Sequence, residues 1–163
     1  MDPLVNKIRR AFEFVKAPAD HEILGGPAYD PGEGKHLQGF KRWQEVPPAA
    51  ITSSYADLAL LSPKAFAFFL PAFMVWTIQN QPTSDLPVGD YAAYLLNAGP
   101  LQDKLRVNKL SRFAGFSKDQ VVIITEFLER MASDETLGDG HAAQKALDHY
   151  WTHARAKMLG HGS

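Results

Sequence analysis

The chain has 163 residues, a formal net charge of −1, 45% hydrophobic and 21% charged residues, and no cysteine. This composition is that of a globular chain long enough to bury a substantial core, and it is wrong for a disordered one. Without cysteine there is no disulfide framework, thiolate metal site or thiol nucleophile. The near-neutral balance does not favour a strongly polyanionic partner, although bases exceed acids over residues 64–118 and acids exceed bases over 119–163.

Asp2 is a good N-cap and Pro3 fits a first helical position, so a helix is predicted to open there. Leu4, Val5, Ile8, Phe12 and Val15 form its apolar stripe, and Pro18 is expected to end it. The opening alternates charged and apolar residues and has no basic segment leading into an apolar run, which places the protein in the cytosol as an expectation. Residues 17–34, with three prolines and four glycines, are predicted to form an irregular loop, functional or mobile. A short helix is expected over 35–46 with Leu37, Phe40 and Trp43 inward, interrupted by Pro47 and Pro48, and short helical turns over 50–61.

Ser62 and Pro63 supply a cap and a first-position proline for the next helix. From Ala65 to Trp76 that helix carries no polar side-chain group except the Trp76 indole N–H. Closed by Lys64 and Gln79, the run is too short to span a bilayer, which needs about 20 apolar residues. A helix apolar all round is a buried central helix. Pro71 inside it removes a hydrogen bond and crowds the carbonyl of Ala67 at a cost of about 3 kcal/mol. Burial of several large side chains, each contributing roughly 1.5–3 kcal/mol, offsets this, so the helix is expected to be kinked or split at Pro71.

Further helices are predicted over 90–98 and 101–113, then from a Ser117–Gln120 capping box to about Met131 with Val121, Ile124, Phe127, Leu128 and Met131 inward. The last runs over 141–158 with Ala142, Ala146, Leu147, Tyr150, Trp151 and Ala154 as its apolar side. No segment reads as a convincing strand and no internal repeat is evident. The predicted architecture is one all-α domain over 1–163, a compact bundle of about six or seven unequal helices.

"SPKAFAFFLPAFM" resembles an "L-[ST]-P-E-A-x-x-x-[YF]-[YF]-L-P-A-[YF]" segment found in a family of small bacterial cytosolic proteins of unknown function. "IRRAF" from Ile8, Trp43 with Val46, "FAGFSKDQVVIITEFLERM" from Phe113, and "ALDHYW" from Ala146 resemble other stretches of that family. Lys64 departs from the pattern, standing where an acidic or neutral residue is expected, and "GGPAYDPGEG" has no counterpart in it. The resemblance implies no catalytic residues.

His149 and His153 are four residues apart on a predicted helix, a spacing able to hold zinc, with Asp148, His141 or a residue from another helix as a third donor. A metalloprotease motif would need glutamate where Tyr150 stands. Asp20, His21 and Glu22, with Asp30, Glu33 and His36 after them, collect carboxylates and imidazoles, the raw material of acid–base chemistry, without a nucleophile motif. Lys104, Arg106, Lys109, Arg112 and Lys118 form a basic segment spread over more than one helical face, which suits a solvated surface or an acidic protein partner better than nucleic acid. "GGPAYDPGEG" lacks the ending of a phosphate loop. Trp43, Trp76 and Trp151, with Tyr91, Tyr94 and Tyr150, are expected in the core.

The functional expectation is a non-enzymatic protein-binding role. Its concrete form is an immunity protein that blocks the active site of a toxin, by analogy with small helical proteins that neutralise toxins encoded beside them. The expected contact residues are Asp20, Glu22, Tyr29, Asp30, Glu33, Asp134, Glu135 and Asp139, facing a basic toxin domain. The alternative is a small metal-binding protein or metal-dependent hydrolase using His149 and His153 or the Asp20–Glu22 loop.

Overall fold

The computed structural model describes residues 2–27 and 32–160. Among them are seven α-helices of unequal length, several single 3-10 turns and no strand. The helices are α1 (Pro3–Ala11), α2 (Pro48–Ser54), α3 (Pro63–Asn80), α4 (Val88–Leu95), α5 (Arg106–Ser111), α6 (Lys118–Ser133) and α7. α7 runs as Gly140–Ala146, a π turn Leu147–Trp151 and Thr152–Met158. The all-α prediction holds.

α3 is the centre of the core. Of its residues 65–78 only Ala67 is not buried, and Phe66, Phe68, Phe69, Leu70, Phe73 and Met74 are at most 1% exposed. Ser62 Oγ accepts from Ala65 N (3.1 Å) and so caps the first turn. The helix is continuous through Pro71 and is not split there. Pro71 deprives the Ala67 carbonyl of its partner at the one half-exposed residue of this stretch, where water can replace the missing donor.

α1 ends earlier than Pro18 would dictate. Phe12 turns fully into the core, and the carbonyls at the helix end go to tertiary donors: Phe12 O accepts from Trp43 Nε1 (2.8 Å) and Ala11 O from Gln120 Nε2 (3.2 Å). The expected helix over 35–46 is instead two 3-10 turns, Lys35–Leu37 and Trp43–Glu45, separated by Gly39 at φ 85°. Leu37 and Trp43 still point inward, as their apolarity requires. The expected helix over 101–113 shrinks to α5, which has no buried residue. The Ser117–Gln120 capping box forms as predicted, with Gln120 N donating to Ser117 Oγ (3.2 Å) and Ser117 N to Gln120 Oε1 (2.9 Å).

The loop from residue 17 is clipped to the start of α3. Gly25 N donates to Leu60 O (2.8 Å) and Ser62 N to Ile23 O (2.9 Å), around an isolated antiparallel bridge between Leu24 and Leu61. No helix among the described residues is long and apolar enough to cross a membrane.

Asp2 ties α1 to α6. Its carboxylate caps Leu4 N (2.9 Å) and receives Arg130 Nη2 (2.9 Å). The Arg130 bond first, then the Leu4 N–H, hold the Asp2 carboxyl below its ordinary range. A depressed carboxylate contributes stability above its unfolded value of about 4 and loses it as pH falls through the folded value. Arg130→Gln should therefore lower the urea midpoint at pH 5 more than at pH 2.5, because the contribution of the Asp2 carboxylate fades as it takes up a proton. Equal losses at both pH values would show that the pair does not couple to Asp2 ionisation.

Candidate functional site

Most of the acidic candidates serve the fold. Asp20 Oδ1 accepts from Gly39 N (3.2 Å). Glu22 Oε1 accepts from Ala19 N (2.9 Å) and pairs with Lys64 Nζ (3.2 Å), while Glu22 O accepts from Ser62 Oγ (2.5 Å). Lys64 therefore has a partner in this chain's own loop. The Ala19 N–H, then the Lys64 ammonium, lower the Glu22 pKa. His21 and His36 are exposed. Asp134 accepts from Thr136 N and Oγ1 (3.1 and 2.6 Å) and faces Arg130 at 3.9 Å. Asp139 caps Ala142 N (3.0 Å) and accepts from the Tyr94 hydroxyl (3.2 Å). Glu135 is exposed, and Glu33 lies half-buried beside a smaller pocket lined also by Arg112. Tyr29 and Asp30 lie outside the described residues.

The basic segment is also divided. Lys109 Nζ pairs with Asp103 (2.9 Å). Arg112 sits 5.9 Å over the Phe66 ring and reaches Ala59 O at 3.4 Å, and burial lowers its pKa. Arg106 alone of the segment lines a wide cleft against α7.

That cleft, of about 920 Å³, lies between α7 and the stretch around Leu101 and Arg106. α7 contributes Asp148, His149, Tyr150, His153, Lys157 and Met158. The two histidines singled out by their spacing thus share one cleft. Among the described residues no group of three His, Asp or Glu side chains is placed to hold a metal, so Asp148 and His141 do not complete a set with them. Asp148 Oδ1 instead accepts from Gln144 Nε2 (2.9 Å).

The cleft wall is formed where α7 widens into its π turn, a local irregularity that recurs at functional sites. Trp151 Nε1 donates to Leu96 O (2.7 Å) in a buried tertiary bond that meets the turn, and Thr125 Oγ1, whose one hydrogen goes mainly to Val121 O (2.7 Å), lies 3.3 Å from Trp151 O. With Trp151 anchored inward, the residues before it, His149 and Tyr150, are half-buried at the cleft. Burial raises the Tyr150 hydroxyl pKa, and the nearby Arg106 charge opposes this.

His149 is oriented by Asn97. Its Nδ1 lies 2.8 Å from Asn97 Oδ1, which also accepts from Gly99 N (2.9 Å). An amide oxygen has no proton to give, so Nδ1 must carry the hydrogen and the neutral ring keeps its lone pair on Nε2. Such a nitrogen can accept a proton, accept a hydrogen bond or bind a metal.

Sequence reasoning missed Asn97, Leu101 and Lys157, and placed Tyr150 in the core with a binding role left open. The available signal was the spacing of Leu101, Leu105 and Val107 among polar residues in a segment too short to bury all three.

No curated protein and no solved structure shows significant similarity to the chain. A family profile described as "Family of unknown function (DUF6714)" matches residues 1–155. With that match spanning nearly the whole chain, the protein belongs to the DUF6714 family.

Proposed function

We propose that the protein acts by binding another protein at the cleft between α7 and residues 101–107, and that toxin neutralisation, an immunity role, is the concrete form of this activity. The observation that carries the reading is the apolar surface there. Leu101 is 82% exposed, Val107 76%, Leu105 58% and Met158 43%, and Leu101 and Met158 line the same cleft. Isolated exposed apolar residues need no explanation, but Leu101 and Met158 line one cleft with Arg106 and Lys157, and Leu105 and Val107 lie on the adjoining segment, a combination that supports an interaction surface. Seating a partner segment here would bury these side chains and place the body of the protein across the partner's own site, which is how steric neutralisation works.

The test is co-expression with the product of the adjacent gene. The expected result is a stable complex and relief of any growth arrest that product causes. Leu101→Asp with Val107→Asp, both on exposed positions, should weaken the complex at least about 100-fold while leaving the circular dichroism spectrum unchanged. A neighbour that neither binds nor harms the cell defeats the immunity role. A double variant that binds as well as wild type defeats the docking surface.

A further inference from the structure

Resting on that docking surface, we infer that the cleft recognises a carboxylate carried beside a large apolar side chain on the partner protein, and that its binding adds a proton to His149 at Nε2.

The charge of the walls selects the sign of the ligand. Arg106 and Lys157 both line the cleft, and among the described residues neither forms an ion pair with a carboxylate. Arg106 Nη1 donates to Gly99 O, and the Arg106 charge is felt by the Asp103 carboxylate, which bonds to Lys109; the remaining guanidinium donors can serve a ligand. The one carboxylate on the wall, Asp148, is held by Gln144. Arginine is suited to planar, bidentate recognition of a carboxylate. Leu101, Ala154 and Met158 on the same walls supply an apolar seat for the side chain next to that acid.

The Asn97 bond then sets the proton count. With Nδ1–H committed to Asn97 Oδ1, neutral His149 presents only a lone pair to the cleft, and a lone pair repels a carboxylate oxygen. A favourable contact needs a new N–H bond at Nε2, with the proton taken from solvent. The groups facing His149 are Asp148, Tyr150, His153 and Lys157 on its own helix, Arg106 on the opposite wall, and Asn97 after α4. The incoming negative charge is balanced by Arg106, Lys157 and the newly protonated ring. Affinity therefore rises as pH falls, because the complex holds one more proton than the separate molecules.

The experiment is selection of a random displayed peptide library on the immobilised full chain, followed by affinity measurements on capped synthetic copies of the enriched peptides. Enriched peptides should pair Asp or Glu with a large apolar neighbour. Changing that acid to its amide, or Lys157→Gln in the protein, should weaken binding at least about tenfold. Affinity should rise about tenfold from pH 8 to pH 6, a trend that His149→Gln removes and His153→Gln preserves. Histidine nitrogen NMR should show hydrogen on Nδ1 alone in the free neutral protein and on both nitrogens in the complex. Peptides that need Leu101 but carry no acid, or bind independently of pH, overturn this inference and leave the docking surface standing. Peptides indifferent to Leu101→Asp with Val107→Asp, or no enrichment at all, overturn both.

Discussion

Trp151→Ala is expected to remove about 3–5 kcal/mol of stability, the usual cost of emptying a large aromatic site in a core. Trp151 is fully buried, with ring centroids 4.9 Å from Phe113, 6.0 Å from Phe116 and 4.9 Å from Tyr150. Its indole N–H is bonded to Leu96 O at 2.7 Å and its carbonyl lies 3.3 Å from Thr125 Oγ1 on α6. One residue therefore joins the end of α4, the turn before α6, α6 itself and the π turn of α7. Domains of this size have a total stability of about 5–15 kcal/mol, so the alanine variant should be marginal. Trp151→Phe separates the two contributions. It keeps most of the ring packing but leaves the buried Leu96 carbonyl without a donor, for a loss of about 1–3 kcal/mol. Urea unfolding of both variants measures this. A cost below about 1 kcal/mol for Trp151→Ala would mean that the aromatic cluster is not the fixed support of the cleft wall.

The helices legible in the sequence were those with local start signals. Asp2, Ser62 and Ser117 each cap a helix through their own side chains, and such signals need only a few residues to be read. The burial of α3 was legible because its apolar run left no polar face. Its passage through Pro71 was undecided in sequence, since it depends on where the helix meets solvent, at Ala67. The expected helices over 35–46 and 101–113 failed for another reason. Gly39 and Gly99 adopt φ of 85° and 77°, and a left-handed residue beside a short apolar pattern favours turns over a continuous helix.

The candidate site was legible only along α7. The spacing of His149 and His153 put them on one stretch of helix, and the structure places both at the cleft. What gives His149 its chemistry is Asn97, which is 52 positions away in sequence and brought close only by tertiary packing. The acidic residues show the converse. Glu22 and Lys64 are 42 positions apart, and Asp20 and Gly39 are 19 apart, so their internal bonding could not be read from local pattern. A cluster of carboxylates in sequence looks like a binding surface until its donors are found, and here those donors tie a loop to the start of α3. Glu22 stays at the surface but is paired with Lys64, whereas Arg106 and Lys157 line a cleft with exposed apolar side chains, which shifts the proposed partner chemistry from basic to acidic.

Gly89→Ala should cost about 3 kcal/mol or more, because the methyl group has nowhere to go. Gly89 is buried near the start of α4, and its N–H donates to Gln81 Oε1 (2.9 Å). A Cβ there would lie 2.1 Å from Leu137 O and 3.0 Å from Thr77 Cγ2. The first contact is with backbone, in the turn Glu135–Leu137 that leads into α7, so relief requires moving that turn or α4 as a body. Either movement strains the Gln81 amide, whose Nε2 also donates to Leu86 O (2.7 Å) and whose own burial demands that these bonds be kept. Gly115→Ala is the control. Nothing lies within 4 Å of a Cβ at Gly115 and its φ is not positive, so the substitution should be neutral or stabilise by up to about 1 kcal/mol through the unfolded chain. Urea midpoints of the two variants should therefore move in different directions or by very different amounts. Similar small shifts for both would mean that α4 and the turn before α7 are not held in contact at Gly89. Asn97, just beyond α4, would then lack the firm placement against α7 on which the orientation of His149 depends.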